Sequence, residues 1–187
     1  MEKGSLIILS GPSGVGKGTV RQALLGLGGV DFYYSVSMTT RKPRPGEVDG
    51  RDYIFVSPEE FQRNIDNGNL LEWAEFVGNR YGTPRDIIEQ WRDKGRDVLL
   101  EIETNGAKQV LAKCPDAISI FIVPPNFEAL ESRIRGRSTE DEPTIQRRLA
   151  KARAELLLQD NYQYKVLNDT PLRAAEEIKS IILSSHK

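Results

Sequence analysis

Nine residues near the start of the chain, Gly11-Pro12-Ser13-Gly14-Val15-Gly16-Lys17-Gly18-Thr19, have the types and spacing needed to hold a chain of phosphates. Glycines at 11, 14 and 16 let the backbone curl until successive N–H groups face one anion. Lys17 adds a point charge suited to the β- and γ-phosphates of a nucleotide. The pattern departs from the usual phosphate loop in one place. Gly18 stands where Ser or Thr normally reaches Mg2+, and Thr19 follows it. Thr19 is therefore expected at the α-phosphate, with the metal held mainly by nucleotide oxygens and water, as Mg2+ tolerates.

A second candidate anion site lies in Ser37-Met38-Thr39-Thr40-Arg41-Lys42-Pro43-Arg44-Pro45-Gly46-Glu47-Val48-Asp49-Gly50-Arg51-Asp52-Tyr53. Arg41 and Arg44 offer forked donors matched to phosphate oxygens, and Pro43 and Pro45 stiffen the loop that carries them. Tyr53 and, further on, Tyr81 can add hydroxyl donors. The acids Glu47, Asp49 and Asp52 leave a second reading open, a solvated charge cluster.

In the strand-like run 70–76, Glu72, Ala74 and Phe76 point one way and Trp73 and Glu75 the other, so one of the two glutamates should face a cleft. A carboxylate only accepts. Guanine presents two adjacent donors, N1–H and N2–H2, where adenine presents neither, and a mismatch would leave the charge without a partner. Taken alone, Glu72 as an ordinary surface strand residue is the simpler reading.

These groups need a scaffold. Short apolar runs alternate with helical patterns, the signature of an α/β fold with a mainly parallel sheet flanked by crossover helices. Runs 5–10, 98–103, 118–123 and 164–167 read as strands, and a helical pattern runs from Lys17 to about Leu27. Ser57-Pro58-Glu59-Glu60 reads as a capping box, Thr83-Pro84 as the start of a helix through Lys94, and Thr170-Pro171 as the start of the last helix. Strand-like pieces at 34–39, 51–56 and 70–77, with a turn at Gly78-Asn79, suggest a β-rich insertion. Residues 126–153 read as helical with a polar break at 138–143. The expected plan is a single domain over 1–187: a core of about 1–33, 84–125 and 154–187, with insertions at about 34–83 and 126–153.

Composition narrows the chemistry further. Of 187 residues, 39% are hydrophobic and 28% charged, and 26 Lys+Arg against 27 Asp+Glu leave a net charge of -1. No global basic field exists to attract nucleic acid or an anionic membrane, so anion binding must be local. A single cysteine, Cys114, excludes disulfides within the chain, and a single histidine, His186, nearly excludes Ser-His, Cys-His and His-metal chemistry. No run approaches the ~20 apolar residues of a membrane span. The first five residues lack the apolar stretch of a signal peptide, so the cytoplasm is the expected location.

With these pieces assembled, the chain resembles guanylate kinase, one of the P-loop nucleoside monophosphate kinases, along essentially its whole length. The motifs are residues 11–17, Ser35 through Glu47, Gly50-Arg51-Asp52-Tyr53, Leu71-Glu72-Trp73-Ala74, Tyr81-Gly82-Thr83-Pro84, and Ile134-Arg135-Gly136-Arg137 leading into Arg147-Arg148-Leu149. The resemblance implies transfer of the γ-phosphoryl group of ATP to GMP, with Mg2+ and with dGMP as a further candidate acceptor. It implies guanine reading by Ser37 and Glu72 with Thr83 assisting, and binding of the GMP phosphate by Arg41, Arg44, Tyr53 and Tyr81. Glu101 and Glu103 stand where the family often has an aspartate pair, so either could approach guanine or the waters of Mg2+; no direct protein ligand to the metal is certain. Residues 11–19 with Asn168, which sits where the family approaches adenine, form the ATP site. Lys17, Arg41 and the arginines Arg133, Arg137 and Arg148, resembling those of the family's lid, carry catalysis.

This mechanism suits a chain with one histidine. The acceptor is already a phosphate anion, so the difficulty is bringing two polyanions together rather than finding a strong base. Residues 133–153 hold seven basic residues against three acidic ones, a local asymmetry hidden in the net charge. Donor and acceptor ligands lie on different segments, so an enzyme that closes on its substrates and excludes water is expected. Two rivals remain: a scaffold module binding phosphorylated peptides through Arg41, Arg44 and Tyr53, which would not need Lys17, and a kinase for AMP, UMP or dTMP, which Glu72 with Ser37 disfavours.

Overall fold

The computed structural model describes residues 1–136 and 139–186. In chain order the elements begin β1 (Leu6–Ser10), α1 (Lys17–Leu27), β2 (Phe32–Tyr34), β3 (Met38–Thr39), β4 (Ile54–Phe55) and α2 (Pro58–Asp66). Then come β5 (Leu70–Phe76), β6 (Asn79–Pro84), α3 (Arg85–Asp93), β7 (Asp97–Glu101) and α4 (Thr104–Lys113). The chain ends with β8 (Ile118–Val123), α5 (Phe127–Gly136), α6 (Glu142–Leu156), β9 (Tyr164–Leu167) and α7 (Pro171–Ser184). They form two compact units, one of residues 1–6, 32–100 and 105–116, the other of 7–31, 101–104 and 117–187.

In the second unit β1, β8 and β9 lie side by side, all parallel, with Ile7 opposite Ile118 and Ile120 opposite Tyr164. Every residue of β1 is buried, as expected of a parallel strand covered on both faces. α7 buries Ala174, Ala175, Ile178 and Ile182, one stripe at helical spacing. Thr170 caps it by accepting from the Arg173 N–H, with Pro171 just inside.

The first unit holds the parallel pair β2 and β7 and a separate sheet of order β4-β3-β6-β5. One face of that sheet is closed by α2. Phe61 packs with Met38 and Leu70, ringed by Ile54, Val56 and Ile65, which leaves the other face open to polar residues. Ser57 caps α2 by accepting from the Glu60 N–H at 3.1 Å. Arg92 is buried yet fully occupied: it donates to the Gly4 carbonyl at 2.8 Å and pairs with Asp116 at 2.6 Å and Glu89 at 3.1 Å, which is how a buried charge is kept.

Several sequence expectations shift here. The run 34–39 is broken, because β2 stops at Tyr34 and β3 starts at Met38. The run 51–56 contracts to β4, since side chains organise the preceding loop: Asp52 accepts from the Val48 N–H at 2.7 Å and Asp49 from the Phe55 N–H at 3.0 Å. Thr83 and Pro84 end β6 rather than opening a helix, and α3 begins at Arg85 with no side-chain cap. The hairpin turn is Val77-Gly78, one residue earlier than expected, with φ of 50° and 77°. Two central residues at positive φ match a two-residue hairpin, and a β-branched residue there is strained. α4 was not anticipated. Ala107, Val110, Leu111 and, just beyond its end, Cys114 keep helical spacing, but Asn105 and Gly106 in its first turn are poor helix formers and obscure its start.

Candidate functional site

In the second unit the phosphate loop follows β1 directly. Gly14 and Gly16 have φ of 85° and 93°, so both need glycine. Gly11 is constrained by space instead, because a Cβ there would lie 2.8 Å from the Ile122 carbonyl oxygen. Gly16 caps α1 without any side-chain bond, leaving the first N–H groups of the helix directed at whatever anion binds. Lys17 curls back to the Gly11 carbonyl at 3.1 Å. Burial pushes its ammonium below the usual lysine range, while Glu155, then Glu101 and Glu103, oppose that shift and Lys151 adds to it.

Arg133 on α5 and Asn168 after β9 both donate to the Val15 carbonyl, at 2.6 and 2.8 Å. With Val15, Pro124, Pro125, Ala129, Leu130 and Asp169 they line a cavity of about 130 Å3. The Oδ1 atom of Asn168 is buried there with no partner. A buried acceptor without a donor is costly.

Arg148 pairs with Glu140 at 3.1 Å, and Arg135 forks onto Glu142 at 2.7 and 2.9 Å. The basic excess of this segment is therefore partly neutralised by its own acids. Arg137 lies outside the described residues. Glu101 pairs with Arg21 at 2.9 Å and Glu103 with Lys151 at 3.5 Å. Both glutamates are in this second unit, whereas the other residues expected at guanine are in the first.

In the first unit the open face of the mixed sheet β4-β3-β6-β5 carries the second site. Thr39 lies opposite Tyr81 and Met38 opposite Gly82, and Ser37, just before β3, accepts from the Ile54 N–H through its backbone carbonyl at 2.8 Å. On the other side of β6, Glu72 is opposite Thr83 and Ala74 opposite Tyr81. The buried Thr83 hydroxyl donates to Glu72 at 2.7 Å, which is what it does in place of capping a helix. A Cβ on Gly106 would lie 3.1 Å from the other Glu72 oxygen, so the absence of a side chain at 106 makes room for the carboxylate.

One alternate position along β6 lies Tyr81, whose ring meets that of Tyr53 edge-on at 6.0 Å. Arg41 stacks 5.1 Å over Tyr53 and is gripped by Glu47 through two bonds of 2.9 Å. Glu47 also accepts from the Arg44 N–H at 2.7 Å. The Arg41 guanidinium beside it holds the Glu47 carboxyl down to about 2, and Glu47 in turn raises Arg41. Arg44 itself is exposed at the rim of the loop. Glu72 with Thr83, and Arg41 with Tyr53 and Tyr81, are thus brought together along β6, while Ser37 flanks them just before β3.

The guanylate kinase family model matches residues 3–185. The chain belongs to the guanylate kinase family. A guanylate kinase from Latilactobacillus sakei is 55% identical over 184 residues, covering 98% of this chain and 91% of the relative. One from Streptococcus thermophilus is 53% identical over 185 residues, covering 99% and 88%. The crystal structure of guanylate kinase from Anaplasma phagocytophilum superposes with a TM-score of 0.76 at 35% identity, covering 99% of this chain and 87% of that one. The α/β fold with its mainly parallel sheet is the fold of this family.

Two residues of consequence escaped the sequence reading. Glu47 was grouped with the acids of a solvated cluster, although its place three residues after Arg44 hinted at a loop-closing role. Glu155, near the end of α6, carried no signal, since it looks like any glutamate on a charged helix. Lys151 and Arg153 are exposed on α6, and each still has a neighbour: Arg153 stacks 4.4 Å over Phe127 and Lys151 reaches Glu103.

Proposed function

We propose that this chain transfers the γ-phosphoryl group of ATP to GMP, producing ADP and GDP. One observation carries the choice of acceptor. Glu72 and Thr83, bonded across β5 and β6, lie one alternate position from Tyr81, which meets Tyr53 and through it Arg41. Thr83 and Tyr81 are two residues apart, about 7 Å along a strand, a spacing suited to the base edge and the phosphate of a single nucleotide. Glu72 accepts from guanine N1–H and N2–H2, and Arg41, Arg44 and the tyrosine hydroxyls bind the acceptor phosphate.

The donor lies in the phosphate loop. Backbone N–H groups of 11–19 and Lys17 hold its phosphates, and Asn168 Oδ1 accepts from the adenine amine. No residue need act as a strong base, because the attacking phosphate oxygen of GMP is already an anion. What the chain contributes is charge: Lys17, Arg133, Arg148 and the Arg41 clamp offset the repulsion between two phosphate groups and the charge spreading over the transferred one. Arg137 belongs with them by resemblance alone.

Mg2+ fits this site as an ion carried by the nucleotide. A Cβ on Gly18 would be 4.0 Å from a Glu101 oxygen, so Glu101 stands beside the place usually filled by Ser or Thr. Among the described residues no three His, Cys, Asp or Glu side chains gather as a metal cage. Glu101, with Glu103 as the alternate, would hold the ion through its waters, and the ion would supply neutralisation of β- and γ-phosphate charge. Among the described residues no helix is long and apolar enough to cross a membrane. We place the reaction in the cytoplasm, where a lone buried thiol such as Cys114 stays reduced.

A coupled ADP-release assay with ATP and each of GMP, dGMP, AMP, UMP and dTMP tests the reading. GMP should turn over far faster than AMP or the pyrimidine nucleotides. Absence of turnover with GMP, or equal turnover with AMP, would overturn it.

A further inference from the structure

Glu155 lies in the last turn of α6 and is 5% exposed, a rare environment for a carboxylate unless it is paired. One oxygen accepts from the Ser13 backbone N–H at 3.3 Å and from the Ser13 hydroxyl at 3.1 Å. The other accepts from the Thr104 hydroxyl at 3.3 Å. Three donors from two separate segments therefore converge on one buried anion, an arrangement that holds its position tightly. Ser13 is inside the phosphate loop, and Thr104 is the first residue of α4.

Glu155 also belongs to a helix that bears other charges of the ATP site. Arg148 is seven residues earlier and Lys151 four, so all three side chains project from one side of α6. Lys151 reaches Glu103 at 3.5 Å. That pair is solvent-exposed and adds little, so what ties this side of the helix is Glu155 to Ser13 and Thr104. Leu149, Ala152 and Ile145 are buried alongside, but apolar contacts alone allow a helix to slide or rotate, whereas a carboxylate met by three directed donors does not.

We propose that Glu155 is a positioning residue for ATP: it locks the register of α6 against the phosphate loop through Ser13 and Thr104, and so sets where Arg148, two turns up the same side, is presented. The proposal rests on the assignment of the loop and Arg148 to the ATP half of the reaction. Glu155 touches no reacting atom and acts only through these partners. Glutamine at this position keeps the shape but turns one acceptor into a donor. With its amide oxygen kept at Ser13 and its NH2 turned to the Thr104 hydroxyl, glutamine can still make these bonds, but without the charge that strengthens each of them.

The test is steady-state kinetics of Glu155→Gln with both substrates varied, beside the wild type. KM for MgATP should rise about tenfold or more and kcat fall by a similar factor, while KM for GMP stays within about twofold. In the Ser13→Ala/Glu155→Gln double variant the losses should be clearly less than multiplicative, because both changes cut the same link. Should Glu155→Gln lack a cooperative melt, Thr104→Val carries the test, with an expected rise in KM for MgATP of about threefold at unchanged KM for GMP. Equal rises in both KM values, multiplicative losses, or unchanged kinetics overturn the role of Glu155. A wild type inactive on GMP would instead strike the functional reading itself, so the two failures are distinguishable.

Discussion

The phosphate loop at 11–19 and the clamp around Arg41, the two phosphate sites of the proposed reaction, are built from different materials. In the loop, Gly14 and Gly16 at positive φ and Gly11 against Ile122 shape a backbone whose N–H groups are the donors, and Lys17 is its one long cation. In the clamp the donors are side chains, and each is held by another: Arg41 by Glu47 and the Tyr53 ring, Tyr53 by Tyr81. A backbone site is tuned by what is missing, so added atoms damage it. A side-chain site is tuned by its supports, so removed atoms damage it.

The largest effect should come from adding one methyl group to the loop. Gly16→Ala forces a side chain onto φ of 93° and into a guanidinium nitrogen of Arg133 2.5 Å away, and kcat/KM for MgATP should fall about a thousandfold or more. Retained turnover would mean the loop rearranges at little cost. Next is Lys17→Ala, expected to cut kcat by about a hundredfold or more while the dissociation constant for GMP changes less than about twofold.

On the clamp side, removing Glu47 should loosen Arg41 without removing its charge. Glu47→Gln is expected to raise KM for GMP by about tenfold and to leave KM for MgATP alone. Because Arg41 holds the Glu47 carboxyl at about 2, the pair exists above that value and is lost only as pH falls through it. The ratio of wild type to Glu47→Gln should therefore be flat from pH 5 to pH 8. A ratio that changes across this window would show that Glu47 titrates there and that its hold on Arg41 is weak.

The smallest expected effect is alkaline. Burial lowers the Lys17 ammonium and the surrounding carboxylates only partly offset it, so the cation is present below its folded pKa and lost as pH rises through it. Affinity for MgATP should begin to fall below the ordinary lysine value of about 10.4, whereas GMP affinity should not follow the same curve.

The same contrast explains what could be read from the residues alone. The loop was legible because glycine spacing, a preceding apolar run and a following helix are all local. β8, β9 and α1 were legible for the same reason, as continuous apolar or periodic runs. The clamp residues were visible as types, but their partners were not, because Tyr53 meets Tyr81 and Glu72 meets Thr83 only through the pairing of distant strands. Thr83 shows the limit best: next to a proline it reads as a helix cap, and tertiary structure gives its hydroxyl to Glu72 instead. Glu155 was hidden because burial of a charged helix residue depends on donors about 50 and 140 positions away in sequence.

The central claim is that Glu72, set by Thr83 and given room by Gly106, selects guanine while the loop independently holds ATP. Calorimetric titration of Glu72→Ala with GMP and, separately, with a nonhydrolysable MgATP analogue tests it most directly. The account predicts that GMP affinity falls about a hundredfold or more while affinity for the analogue stays within about twofold of wild type. Unchanged GMP affinity, or an equal loss for both ligands, would contradict it.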